Sequence, residues 1–137
     1  MRAKMIVAAA MLSLIASAVG FAQTTPAGIK TAKIGSDTVF VDPDGMTLYT
    51  FDGDTTPNKS ACNGMCAMNW PPLMAPDNAA PIGDWTVVTR DDGSRQWAYK
   101  GKPLYTFHRD HAPGDGRGDN AGPNGTHVWH FAKPAQS

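Results

Sequence analysis

One four-residue string occurs twice, and it constrains the fold more than any other feature of the chain. Leu48-Tyr49-Thr50-Phe51 returns as Leu104-Tyr105-Thr106-Phe107, and an aspartate, Asp54 or Asp110, stands three residues after each Phe. A turn precedes each copy, at Asp44-Gly45 and at Gly101-Lys102-Pro103. A long polar loop follows each, then a tryptophan and a proline: Trp70-Pro71-Pro72 in the first, Trp129 to Pro134 in the second. Identity with matching flanks marks a duplicated unit and predicts a pseudo-twofold domain. Side chains alternate along a strand, so Tyr49 and Phe51 share one face and Leu48 and Thr50 the other, as do their counterparts in the second copy. The four aromatics are expected to form much of the core, each ring contributing about 1.5–3 kcal/mol on burial. Asp54 and Asp110, just past the strand ends, are placed to accept backbone N–H groups and tie down the loops. The tyrosine hydroxyls can anchor in the same way.

The rest of the chain fits an all-β reading. All twelve acidic residues are Asp, and there are 14 Gly and 11 Pro, a composition for turns rather than long helices. Thr38–Val41, the Asp42-Pro43-Asp44-Gly45 turn and Met46–Phe51 predict one hairpin. Trp85–Thr89, Arg90-Asp91-Asp92-Gly93 and Arg95–Tyr99 predict another. Strands are also expected at Leu104–Phe107 and His127–Phe131, and a single helical turn between Cys62 and Asn69. The fold class is a small sandwich or partly closed barrel built from two pseudo-twofold repeats with long ordered loops.

Residues 1–22 read as a signal peptide. Arg2 and Lys4 precede an apolar run from Met5 to Val19, and Gly20-Phe21-Ala22 supplies the small residues of a cleavage site. The run is short for a bilayer, and nothing apolar follows, so no membrane span is expected after cleavage. Residues 23–32 read as a flexible leader. A single β domain is expected over 33–134, with repeat one at about 35–76 and repeat two at about 85–134. The formal charge is zero, falling to −2 once Arg2 and Lys4 are gone, which gives no electrostatic footprint for nucleic acid.

At the repeated motif the sequence resembles a family of bacterial secreted proteins and predicted lipoproteins with a recurring Tyr-x-aromatic-x-x-Asp signature. The matching positions are Tyr49, Phe51 and Asp54, then Tyr105, Phe107 and Asp110. Cys62-Asn63-Gly64-Met65-Cys66-Ala67 leading to Trp70-Pro71-Pro72-Leu73 is similar as well, as are Tyr99 to Leu104 and Trp129-His130. The resemblance covers residues 35–134 and implies an extracytoplasmic location, periplasmic or secreted, and a duplicated domain of unknown function. The lipoprotein members carry a lipidation cysteine; here the first cysteine is Cys62.

Two constellations bear on chemistry. Cys62 and Cys66 are the only cysteines, and in an exported protein a pair this close forms a disulfide. The sharper alternative is a transition-metal site. Two thiolates with Met65 and Met68 alongside are soft ligands suited to Cu(I). All four histidines fall in two His-x-x-His pairs, His108 with His111 and His127 with His130. The first pair can converge on one ion from a loop. The second, on a strand, points to opposite faces, with His127 sharing the face of Trp129 and His130 turned away. The candidate metal set is therefore Cys62, Cys66, Met65, Met68, His108, His111 and His130, with copper the possible cofactor. Arg117-Gly118-Asp119 spells an adhesion tripeptide but reads as a chance string in a Gly/Asp-rich loop. There is no Gly-x-Ser-x-Gly, no His-Glu-x-x-His and no Cys-x-x-Cys, and without Glu an acid–base pair needs two aspartates that no pattern singles out. No enzyme is expected. The reading is an exported envelope binding module, with copper as the leading named ligand. The alternative is a ligand-free structural or protein-interaction domain with a local disulfide and an unknown protein partner.

Overall fold

The computed structural model describes residues 25–135; the signal peptide expected at residues 1–22 lies outside them. Among the described residues seven strands appear in chain order: β1 (Lys30–Ile34), β2 (Asp37–Val41), β3 (Tyr49–Phe51), β4 (Trp85–Thr89), β5 (Arg95–Tyr99), β6 (Lys102–Pro103) and β7 (Trp129–Phe131). Among the described residues the one α-helix, α1 (Met65–Asn69), lies between β3 and β4, where the single helical turn is expected, and a 3-10 turn forms at Pro123–Gly125. They form three small antiparallel sheets, β1–β2, β3–β7 and β4–β5–β6, and no closed barrel, in keeping with a small all-β sandwich.

Order starts earlier than the composition suggests. β1 takes in Lys30–Ala32, which read as leader, and pairs along its length with β2, Lys30 opposite Val41 and Ile34 opposite Asp37. Apart from the half-buried Ile34, its residues are small or charged and exposed, so no apolar alternation marks it. Ile29, buried just before it, anchors the strand in the core, and edge lysines discourage pairing with other chains. The expected first hairpin forms only next to its turn, through Asp42 N–H to the Met46 carbonyl at 2.8 Å and a bridge between Val41 and Thr47, because β2 pairs with β1 and the return strand Tyr49–Phe51 pairs with β7 instead. The Asp-Gly hairpin is complete, Trp85 opposite Tyr99 through Thr89 opposite Arg95.

The centre of the molecule is an exchange between repeats. Tyr49 and Tyr105 trade backbone bonds, N–H to carbonyl at 2.8 and 3.0 Å, and so mark the pseudo-axis. On the outer side of Tyr49 lies Phe131, from the end of the second repeat, and on the outer side of Tyr105 lies Pro72, from the end of the first. Each repeat thus lends its last paired segment to the other, the strand β7 in one direction and the bridged stretch at Pro72 in the other. The exchange closes two matching rings of backbone bonds. Phe40 N–H donates to Ala132, Ala132 to Leu48 and Leu48 to Phe40, at 2.8, 2.9 and 3.0 Å. Trp97 donates to Leu73, Leu73 to Leu104 and Leu104 to Trp97, at 2.9, 2.8 and 3.1 Å.

Strand alternation divides the interior in two. Leu48 and Leu104, fully buried, face a cluster with Phe40, Trp85, Trp97, Tyr99 and Leu73. Tyr49 and Tyr105, equally buried, face the other cluster with Cys62, Trp70 and Trp129. The expectation of one core led by four motif aromatics needs correcting. Both faces of the motif are buried, and Phe51 and Phe107 are only half-buried at the rim of the second cluster.

Candidate functional site

The second cluster gathers most of the residues that the sequence singles out. Its heart is a four-ring column. Trp70 and Trp129 stack face to face, centroids 3.8 Å apart and planes 4° from parallel. Phe107 caps the Trp70 side at 4.1 Å and Phe51 caps the Trp129 side at 4.4 Å. The repeats contribute equivalent rings, so the pseudo-axis runs between the two indoles. Tyr49 meets Trp70 edge-on at 5.5 Å, and Tyr105 meets Trp129 edge-on at 5.1 Å. Each such pair adds about 0.5–1.5 kcal/mol beyond burial.

The hydroxyls then cross between repeats. Tyr49 donates to Asp110 Oδ2 at 2.5 Å, and Tyr105 donates to Asp54 Oδ2 at 2.7 Å. The remaining oxygen of each carboxylate holds its own loop. Asp54 Oδ1 accepts the Ala61 N–H at 2.6 Å, and Asp110 Oδ1 accepts the Arg117 N–H at 3.0 Å, each seven residues on. Each motif aspartate therefore ties down a loop within its repeat and clamps the tyrosine of the other.

The environment decides what these groups can do. Burial, reinforced by the Asp110 acceptor, pushes the Tyr49 phenol far above its ordinary range. Burial does the same to Tyr105, with Asp54 as its acceptor and the Ser60 hydroxyl working the other way. Burial raises Asp54, opposed by the Ala61 N–H, the Tyr105 hydroxyl and the Arg90 charge. A phenol held protonated is a donor and neither a nucleophile nor a base.

The two halves differ behind the tyrosines. Gly118 N–H donates to the Tyr49 oxygen at 3.2 Å. On the other side Ser60 stands 2.7 Å from the Tyr105 hydroxyl, and since Tyr105 gives its proton to Asp54, Ser60 donates to Tyr105. Arg90, buried at the start of the Asp-Gly turn, donates to Ser60 Oγ, to Gln96 Oε1 and to the Cys62 carbonyl at 2.9, 2.7 and 2.6 Å. The sequence reading missed Arg90, because nothing local separates it from a solvated turn arginine. Among the described residues no buried side-chain nitrogen or oxygen lacks a partner.

Cys62 and Cys66 form a disulfide with Cα atoms 5.2 Å apart. Gly64 between them has φ 57°, a left-handed conformation glycine adopts without a Cβ penalty. In this oxidised state neither sulfur is a thiolate ligand. Met65 and Met68 stand out on α1, 71% and 70% exposed. His108 sits at the end of that helix, its Nδ1 3.0 Å from the Asn69 carbonyl. His111 is exposed in the loop beyond Asp110, and its N–H donates to Asp115. His130 Nε2 lies 2.8 Å from Asp52 Oδ2. His127 is exposed, not on the core face of Trp129, because β7 starts only at Trp129. Among the described residues no three His, Cys, Asp or Glu side chains gather as ligands. The adhesion-like tripeptide belongs to the architecture: Gly118 is packed so tightly on Trp70 and Tyr49 that a Cβ would lie 2.8 Å from both.

The crossed tyrosines and aspartates are the two copies of the signature, and both fall within matched segments. A family described as a secreted repeat of unknown function matches residues 28–74 and 86–133. The chain belongs to this family. No curated protein and no solved structure matches it. Each matched segment of this secreted repeat protein ends in the stretch that pairs with the other, so the two sequence repeats are not two separate structural lobes. Among the described residues no helix is long and apolar enough to cross a membrane.

Proposed function

We propose that this protein is an exported, non-catalytic binding module of the periplasm or the extracellular space. The carrying observation is that every polar group of the shared motif is consumed by bracing. Tyr49 and Tyr105 are clamped to Asp110 and Asp54, and the second oxygen of each carboxylate is engaged by a loop N–H group. A reacting site needs a group free to take or give a proton, and the motif offers none. Recognition is therefore left to the surface that the braced core holds rigid.

Copper binding is a second reading, favoured by one observation. Two thioethers are exposed on α1, and His108 is held beside that helix by its Nδ1, which leaves Nε2 for a ligand. Use of Cys62 and Cys66 would further require their reduction. The third reading, a ligand-free structural or interaction domain, needs only the braced fold.

Native mass spectrometry of the exported protein, with a thermal-shift panel of Cu(I), Zn²⁺, organic anions, glycans and peptides, separates the three. A retained small ligand, or a saturable rise in Tm with one class, supports the binding module. A Cu(I) response lost in the Met65→Leu, Met68→Leu double variant selects the metal reading. A bare chain that nothing in the panel stabilises overturns the module and leaves the structural domain.

A further inference from the structure

On the side of the molecule where β7 meets the β5–β6 turn, a cavity of about 330 Å³ opens. That volume is at the lower end of the ~300–1,000 Å³ usual for small-molecule sites. Tyr99 and Phe131 supply aromatic walls, and Lys100, Lys102 and Lys133 stand around them. The one carboxylate in the lining, Asp52, is engaged by His130. Lys133 is paired to Asp37, while among the described residues neither Lys100 nor Lys102 has an acidic partner. The site thus combines an apolar floor with unspent positive charge.

Two further observations single out these lysines. Lys100 holds φ 49°, in the left-handed region where a side chain is strained and Gly or Asn is more comfortable. Its ammonium stands 6.0 Å from the centroid of the Tyr99 ring, above one wall of the cavity. The corresponding turn before the first motif copy carries Asp42 and Asp44 and no lysine, so the repeat does not require cations there. The Tyr99 hydroxyl accepts the Ala135 N–H at 2.9 Å and retains its own proton to donate.

We infer that this cavity binds a small organic carboxylate, its aromatic or apolar body against Tyr99 and Phe131 and its charge on Lys100 and Lys102. The inference rests on the binding-module reading and names the class of ligand. Inorganic anions lack the body that the aromatic walls would cover, and neutral amides lack the charge.

The test is a ¹H–¹⁵N NMR titration of the full exported protein with benzoate, with benzamide and inorganic phosphate as controls. Benzoate should saturate, with shifts grouped at Thr50, Tyr99 to Lys102 and His130 to Lys133. Benzamide and phosphate should bind at least about tenfold more weakly. Lys100→Asn should weaken benzoate by about tenfold and at the same time raise Tm by about 4 °C, because it relieves the left-handed strain. Lys102→Gln should weaken benzoate with Tm unchanged. Equal response to benzoate and phosphate, shifts scattered over the surface, or an unaltered affinity in Lys100→Asn would overturn the assignment. If benzoate fails while another class in the thermal-shift panel binds, the cavity assignment falls and the binding module stands. If no class binds, both fall.

Discussion

Tyr49→Phe removes one oxygen and tests the cross-repeat brace directly. Asp110 is buried at 7% exposure, so its carboxylate would lose a charge-assisted bond that water cannot easily replace. Such a bond is worth about 1.5–3 kcal/mol. The Gly118 N–H, also buried, would lose its only acceptor, at about 1–3 kcal/mol. Together these amount to about 2.5–6 kcal/mol, a large share of the ~5–15 kcal/mol that stabilises a domain. Tyr105→Phe should cost less, about 1–2 kcal/mol, because Asp54 is half-exposed and can take water. Urea unfolding followed by tryptophan fluorescence reads both. With m of roughly 1–1.5 kcal/mol per M, Tyr49→Phe should lower the midpoint by about 2–6 M. A double-mutant cycle adds the topological test. Tyr49 with Asp110 should couple by about 1–3 kcal/mol, and Tyr49 with Asp54, in the same repeat, by less than about 0.5 kcal/mol. The opposite order of costs, or coupling within the repeat instead of across it, would refute the crossed brace.

Three other outcomes follow from the same geometry. The face-to-face pair of Trp70 and Trp129 should give an exciton couplet in circular dichroism, abolished equally by Trp70→Phe and Trp129→Phe; a couplet surviving either change contradicts the stack. Reduction of Cys62–Cys66 should leave the fold intact and cost about 2 kcal/mol, since the closed loop is so short, and unfolding on reduction alone would show a larger role. Alkali should destabilise the protein from about pH 10 upward. Unfolded tyrosines ionise there while Tyr49 and Tyr105 keep their protons when folded, so the folded state binds more protons and stability falls as pH rises. The slope should approach about 2.7 kcal/mol per pH unit and vanish in the Tyr49→Phe, Tyr105→Phe double variant; a midpoint flat between pH 9 and 11 would contradict it.

Much of this molecule is legible in the chain because the informative signals are local. The doubled Leu-Tyr-Thr-Phe string, the Asp-Gly hairpin between Trp85 and Tyr99 and the spacing of Cys62 and Cys66 each concern residues close in sequence. Period-two alternation assigns Leu48 and Tyr49 to opposite faces, and the aspartates past the strand ends do hold their loops. β1 escaped notice because Lys30–Ala32 satisfy the strand through backbone pairing with β2 and bury almost nothing.

What only the tertiary structure decided is which repeat completes which. Alternation names the face a residue occupies, never the strand that will cover it, and two equivalent units can pair within or between copies at no local cost. The answer is exchange: Phe131 beside Tyr49 and Pro72 beside Tyr105, with the Tyr–Asp bonds crossed and the two tryptophans brought together on the axis. The same step buries Arg90, sets His130 on Asp52 and gathers Tyr99, Phe131 and three lysines around one cavity. These partners are distant in the chain, and no turn propensity or spacing rule reaches across that separation. Packing of the shared core selects them.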